Sequence, residues 1–248
     1  MITCALPTYN NSRTLWLQFE SLCRQECSVP WELIVMEETS QYYSGEEYVR
    51  AYEGRLKQAG CVKITYIPCS RIPLGQKWKE IAERAQFPIY HLVAGDNYSP
   101  PNRLQISADE FSENDALIWC DWNTTPFLNV LNGKTAYWKR ADKSQTGLFM
   151  ATLTKYVRQL QPPYPPSSID GWMRDSIPEL NEGKRAYIDL EPHGLHTDGM
   201  NQISHHRRGM YSEGRYQRNF KAWNGSLKDL LPADIIDQMQ EKWSITIN

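Results

Sequence analysis

The sequence predicts an α/β fold, a single Rossmann-like arrangement in which one mostly parallel sheet is flanked by helices, with a helical extension at the C-terminus. Two observations carry this. Over the first half of the chain, short apolar runs bounded by turn residues alternate with longer segments whose apolar positions recur at helical spacing. The polar clusters PTYNN, EETS and GDN each follow an apolar run, and the carboxyl ends of strands are where such sheets bind ligands.

Taken in order, residues 2–6 read as a strand that Pro7 breaks. Asn10 or Asn11 caps a helix to about residue 26, with Leu15, Trp16, Phe19, Leu22 and Cys23 on one face. Residues 32–36 (ELIVM) are a buried strand. Ser44 caps a second helix, with Tyr48, Val49, Tyr52 and Leu56 on its inner side and Gly60 at its end. Residues 62–67 form a third strand. Residues 75–86 form a third helix with Trp78, Ile81, Ala82 and Ala85 inward. Residues 89–94 form a fourth strand. Ser99 and Pro100 open a helix to about residue 111, and residues 116–120 form a fifth strand.

The second half is less regular. Residues 161–168 (QPPYPPSS) read as an extended connector. A helix starts near residue 169 and a strand covers 185–190. Residues 193–217 read as a long polar loop, the kind that serves as a lid or binding loop. Ser226 caps a final helix with Leu227, Leu230, Leu231, Ile235, Met239 and Trp243 as its apolar stripe. The expected organisation is a catalytic unit over 1–204 and, packed on it, a basic loop and helix over 205–248.

Composition narrows the function class. Hydrophobic residues make up 41% and charged residues 23%, which suits a globular chain with a real core. The net charge of −2 gives no global nucleic-acid footprint. The charge is uneven, however. Between His205 and Lys228, Arg207, Arg208, Arg215, Arg218, Lys221 and Lys228 face only Glu213, a candidate phosphate site or a solvated surface. Nine Trp and fourteen Tyr exceed expectation, and aromatic rings with polar tips suit both packing and sugar or base pockets. Cys4, Cys23, Cys27, Cys61, Cys69 and Cys120 show no CxxC pair and no zinc spacing, so a reducing, cytoplasmic setting is expected. Neither a secretory leader nor a membrane span is expected. The GxGxxG turn, the P-loop and the GxSxG elbow are all missing from the sequence, so the sheet needs another way to hold a ligand.

Several motifs in order resemble the family 2-type glycosyltransferases of GT-A fold, over about residues 1–204. ALPTYNN before a helix is similar to the family's first turn, and WELIVMEETS to its second strand, with Glu37 and Glu38 where two aspartates are usual. The resemblance implies that Pro7, Thr8, Tyr9, Asn10, Glu37 and Glu38 hold a nucleotide base and ribose. HLVAGDNYSPPNRL resembles the DxD region; Ala94 stands at the first Asp position, Asp96 at the second, and Asn97 follows. Asp96 would then hold Mn²⁺ or Mg²⁺, which neutralises the charge developing on a pyrophosphate leaving group. His196, with His193 in reserve, would complete the metal site. Asn201 and Ser204 would order the loop, and Arg207 and Arg208 would clamp phosphates, as Lys77 or Arg71 would near the diphosphate.

SSIDGWMRDSI resembles the segment that supplies the family's base. Asp170 matches the base, Trp172 and Arg174 its neighbourhood, and Asp175 is a second candidate. The implied activity is transfer of a sugar from a nucleoside diphosphate donor, a UDP-sugar first, to an acceptor hydroxyl with inversion. A nucleotidyltransferase and a non-catalytic nucleotide-sugar-binding module are the alternatives. The acceptor is a glycan, lipid-linked sugar, protein or small molecule, with a modified base in DNA as the lesser reading.

Overall fold

A computed structural model describes residues 1–9, 11, 13–39, 44–121, 124–130, 133, 135–139, 150–165, 169–188, 194–198, 220–221 and 225–247. The first half alternates β1 (Ile2–Tyr9), α1 (Leu15–Leu22), β2 (Trp31–Glu38), α2 (Gly45–Gln58), β3 (Cys61–Cys69), α3 (Leu74–Arg84) and β4 (Ile89–Leu92). Then come β5 (Asn97–Tyr98), α4 (Arg103–Ser112), β6 (Ile118–Asp121), β7 (Thr124–Asn129), β8 (Thr135–Lys139) and β9 (Met150–Leu153). The last part holds α5 (Thr154–Val157), α6 (Ile169–Ser176), α7 (Pro178–Glu182), β10 (Arg185–Ile188), β11 (Leu195–Asp198), β12 (Phe220–Lys221) and α8 (Ala233–Trp243).

Seven strands form the central sheet in the order β10-β6-β9-β4-β1-β2-β3. Only β9 runs against its neighbours; the other pairings are parallel. Because side chains alternate along a strand, each strand feeds two cores. Cys4, Leu6, Leu33 and Val35 face α1, α2 and α4 with Phe19, Leu22, Leu56 and Leu104. Ala5, Ile34 and Met36 face the other layer with Trp78, Ile81, Met173 and Leu180. Cys4 and Cys61 are buried as small apolar groups, and burial pushes the Cys61 thiol up to about 12. Among the described residues no helix is long and apolar enough to cross a membrane.

The structure corrects several expectations. β1 runs through Pro7 to Tyr9. β4 pairs with β1 only as far as Ala5, and Ala5 O accepts from Val93 N. Two residues on, the missing N–H of Pro7 points to the side β4 has left, so nothing is lost there. The helix expected to reach residue 26 ends at Leu22, because Gln25 leaves it to serve α4. Its side chain donates to Pro100 O at 2.8 Å and accepts from Leu104 N at 3.1 Å. The N-cap of α1 is Thr14 rather than Asn11, and Asn10 lies outside the described residues. Ser226 caps a short 3-10 turn (Leu227–Asp229), and Pro232 starts α8 afresh. Ser44 does cap α2, accepting from Glu46 N at 3.2 Å.

A five-stranded second sheet, β12-β8-β7-β11-β5, was not foreseen. Part of it, Leu195–Asp198, falls where a long loop was expected. Leu128 and Leu195 of this sheet, with Val130 just past β7, meet Trp16, Leu17, Ile235, Met239 and Trp243 in a third core. There α8 docks on α1. The Trp16 and Trp243 rings lie 5.6 Å apart, and both indoles donate to Arg13 O.

His91 of β4 is fully buried, its Nδ1 2.7 Å from Ser107 Oγ, which also accepts from Trp119 Nε1. Burial, then the Arg103 cation, hold the His91 pKa well below the ordinary 6.5. The unfolded chain therefore binds a proton that the folded chain refuses. The stability this gives is present above the unfolded pKa and is lost as pH falls below it. Going from about pH 7.5 to about pH 5.5 should lower the unfolding free energy by roughly 1 kcal/mol more in the parent than in His91→Phe. Urea titrations at both pH values check this.

Candidate active site

Chain order reverses around β1, with β2 and β3 on one side and β4 on the other. Such a switch point opens a crevice at the carboxyl ends of the strands. Thr8 pairs with Glu37 and Tyr9 with Glu38 at that edge. Alternation sends the two adjacent glutamates to opposite faces of the sheet.

Glu37 is buried on the α2 side. Its Oε2 accepts from Gly45 N at 2.6 Å and from Tyr66 Oη at 2.6 Å. A carboxylate at this helix N-terminus meets unsatisfied N–H groups and the positive end of the dipole. Gly45 allows this close approach, since a Cβ would stand 3.0 Å from Glu37 Oε1 and 3.1 Å from Oε2. Burial, then the hydrogen bond to Glu37, lift the Tyr66 phenol to about 12. Among the described residues, Glu37 Oε1 and the buried Thr8 Oγ1 have no hydrogen-bond partner. Two orphan polar atoms, on residues paired across one strand edge, mark a place that can receive polar ligand groups.

Glu38 is buried on the α3 side. Its Oε2 lies 3.2 Å from Lys77 Nζ, and its Oε1 4.0 Å from Arg71 Nε. Lys77 is itself buried, with Nζ 6.0 Å from the Tyr9 ring centroid. The spacing of four sequence-expected residues, Tyr9, Glu38, Arg71 and Lys77, thus closes into one cluster.

Asp96 sits half-buried in the turn between β4 and β5. That turn is held from two directions. Thr14 Oγ1 of α1 donates to Gly95 O at 3.0 Å. Gln18, with its amide set to satisfy its neighbours, donates to Ala94 O at 2.9 Å and Asn97 O at 3.0 Å. From β11, Thr197 N and Oγ1 both donate to Asp96 O, at 2.9 and 2.7 Å. A Cβ on Gly95 would meet Asn11 Nδ2 at 2.4 Å, so the first turn and the GDN turn touch. β11 also pairs with β5, His196 opposite Asn97, which brings the backbone of His196 beside the Asp96 turn. The side chain of His196 lies outside the described set. Among the described residues no group of three or more His, Cys, Asp or Glu side chains could hold a metal.

Asp170 is the second residue of α6, and its side chain too lies outside the described set. Asp175 near the other end of that helix is exposed. Arg174 Nε, 2.6 Å away, holds its carboxyl below the usual range. The expected His193, Asn201, Ser204, Arg207 and Arg208 lie outside the described residues. Sequence reading missed Thr14, Gln18, Tyr66, Gly45 and Thr197. One signal was legible. Gln18 falls on the apolar face of α1, between Leu15 and Leu22, where a polar side chain needs buried partners.

No protein-family model matches the sequence, and no curated protein sequence matches it significantly. Solved structures do match the fold. TarS 1–349 of S. aureus in complex with UDP-GlcNAc superposes over 87% of this chain and 63% of its own, with a TM-score of 0.63 and 15% identity. The same TarS fragment in complex with UDP matches 79% of this chain and 60% of its own, with a TM-score of 0.60 and 15% identity. The mannosyltransferase PcManGT of Pyrobaculum calidifontis, in complex with GDP-Man and Mn²⁺, matches 88% of this chain and 60% of its own, with a TM-score of 0.59 and 13% identity. The chain has the GT-A fold, and it spans 60–63% of the length of these structures.

Breaking a buried ion pair from one side leaves the other charge stranded. Lys77→Met should therefore lower stability by about 3 kcal/mol, and the double variant Lys77→Met/Glu38→Gln should recover part of the loss. Urea unfolding of the three proteins tests the coupling.

Proposed function

We propose that this chain is a glycosyltransferase that moves a sugar from a nucleoside diphosphate donor to an acceptor hydroxyl. The observation that carries the reading is the convergence of Thr8, Tyr9, Glu37, Glu38, Lys77 and the Asp96 turn on one switch-point crevice of a GT-A fold. In this reading residues 1–204 form the donor and catalytic unit, and 205–248 a basic loop and helix that close on it. Pro7, Thr8, Tyr9 and Asn10 line the base and ribose. Thr8 Oγ1 and Glu37 Oε1, unpartnered among the described residues, supply polar atoms such a ligand would meet. Lys77 and Arg71 lie near the diphosphate, and Arg207 and Arg208 close on its phosphates. A UDP-sugar is the preferred donor. The free cysteines among the described residues suit a reducing, cytoplasmic compartment.

A divalent cation fits the residues at the turn. Mg²⁺ and Mn²⁺ in such sites take one or two protein ligands and complete their shells with substrate phosphates and water. Asp96 and His196 would hold it, and when bound it would neutralise charge on the leaving diphosphate. The protein's own contribution is positioning: Thr14, Gln18 and Thr197 hydrogen-bond the backbone of the turn that carries Asp96. Asp170 would take the proton of the attacking hydroxyl while that oxygen displaces the diphosphate from the opposite face, giving inversion. Its place in the first turn of α6 favours the ionised carboxylate that a base requires.

The lone carboxylate at Asp96, with Ala94 in place of a second, favours one other reading: a nucleotide-sugar-binding module without transfer activity. Donor hydrolysis in the presence of Mn²⁺ separates the two.

A uridine diphosphate should raise the thermal midpoint, and a chelator should shrink the shift. If no nucleoside diphosphate moves the midpoint, the donor reading fails. Asp96→Ala and His196→Ala should each weaken metal-dependent donor binding without unfolding the chain. Asp170→Asn should lower turnover by about 10²- to 10⁴-fold with donor affinity nearly unchanged. Asp175→Asn should cost much less, and the reverse ranking would move the base to Asp175.

A further inference from the structure

Three large apolar side chains are exposed among the described residues: Met1, Val62 and Leu74. Met1 precedes β1 and Val62 is the second residue of β3, so both lie at the amino edge of the sheet, away from the crevice. Leu74 opens α3 at the carboxyl edge and is 41% exposed. Beside it stand two half-buried aromatic rings, Tyr164 and Trp172. Their centroids are 5.6 Å apart and their planes meet at 73°. A Cβ on Gly75 would stand 2.8 Å from Tyr164 Cδ1 and 3.2 Å from Trp172 Cζ3. Both rings therefore rest on the bare backbone of the first turn of α3, two residues before Lys77. Trp172 also lies two residues after Asp170 on α6.

We propose that Leu74, Tyr164 and Trp172 form an acceptor subsite that receives the apolar C–H face of a pyranose ring. The assignment deepens the glycosyltransferase reading and takes its purpose from it. Both rings pack against the core cluster that holds Trp78 and Met173, and each keeps part of its surface exposed. Rings fixed in an edge-to-face pair lose little freedom when a ligand settles on them. Sugar rings combine an apolar C–H face with a hydroxyl rim, which suits an aromatic ledge next to a polar cluster. Glu80 and Glu83 of α3 are close enough to Tyr164 to join burial in raising its phenol, so polar groups flank the apolar ledge.

The test is saturation-transfer NMR on the whole chain with the methyl glycosides of glucose, galactose, mannose and N-acetylglucosamine, in the presence of UDP. The parent should pass saturation to the ring C–H protons of at least one of them. Tyr164→Leu and Trp172→Leu keep apolar bulk and remove the ring face. Each should weaken that signal about tenfold, while Tyr164→Phe and Trp172→Phe retain it. The UDP-induced thermal shift should be equal in all five proteins. If Trp172→Leu does not fold, Tyr164→Leu decides alone. Undiminished transfer in the leucine variant, or no transfer from any glycoside to a parent that still responds to UDP, overturns the subsite. Ring-dependent transfer in a protein blind to every nucleoside diphosphate keeps the subsite and removes the donor reading instead.

Discussion

The turn that carries Asp96 is where the molecule is tied together. Its four residues offer carbonyls in a row, and donors from two elements meet them. Thr14 and Gln18 reach it from α1, and Thr197 reaches it from β11. A buried carbonyl must be paired, so these bonds are obligatory rather than ornamental. They join the central sheet to the second sheet through one loop. They also set where β5 starts, which seats β11, and with β11 the backbone of His196. A single local requirement, satisfying the polar backbone of a turn that leaves a parallel sheet, thereby fixes the geometry on which donor and metal binding would depend.

The strand edge beside it follows a second constraint. Two adjacent glutamates cannot share one face of a strand. Glu37 goes to α2 and meets Gly45 N and Tyr66; Glu38 goes to α3 and meets Lys77. Each carboxylate is buried, and each is compensated by a different means: one helix N–H and a phenol in one case, a buried ammonium in the other. The consequence is a division of labour within one EE pair. Glu37 keeps an oxygen without a described partner, suited to a polar ligand atom. Glu38 holds a cation and an aromatic ring in register at the end of β1. The two acids are therefore not interchangeable, although nothing in the sequence separates them.

The helices add the rest of the site from the flank. The first turn of α3 serves two neighbours at once. Lys77 reaches inward to the strand ends, and Gly75 leaves a flat backbone for Tyr164 and Trp172. The connector and α6 are thus seated by an absence, the missing Cβ of one glycine. Behind the sheet, the Trp16–Trp243 contact and the shared Arg13 carbonyl dock α8 on α1, the same helix that holds the Asp96 turn.

By itself the sequence determined the parallel core. Apolar runs with turn residues at fixed intervals, the Ser44 cap and the Gly60 stop are local signals, and the strands and helices of the first half formed close to where periodicity put them. It also pointed to Tyr9, Glu37, Glu38 and Asp96, because polar residues after apolar strands in an α/β chain collect at one edge, whereas Lys77 or Arg71 was implied only by the family resemblance. Only the tertiary structure decided the rest. β5 and β12 are two residues long, and β11 is four, too short for periodicity to register. β9 inserts antiparallel between β4 and β6, a pairing set by partners far away in the chain. Pro7 could continue a strand only because β4 had already left that side. Gln25 ended a helix early because an N-terminus elsewhere needed its amide. Such choices depend on long-range partners for backbone N–H and C=O groups, and a one-dimensional pattern does not record where those partners will be.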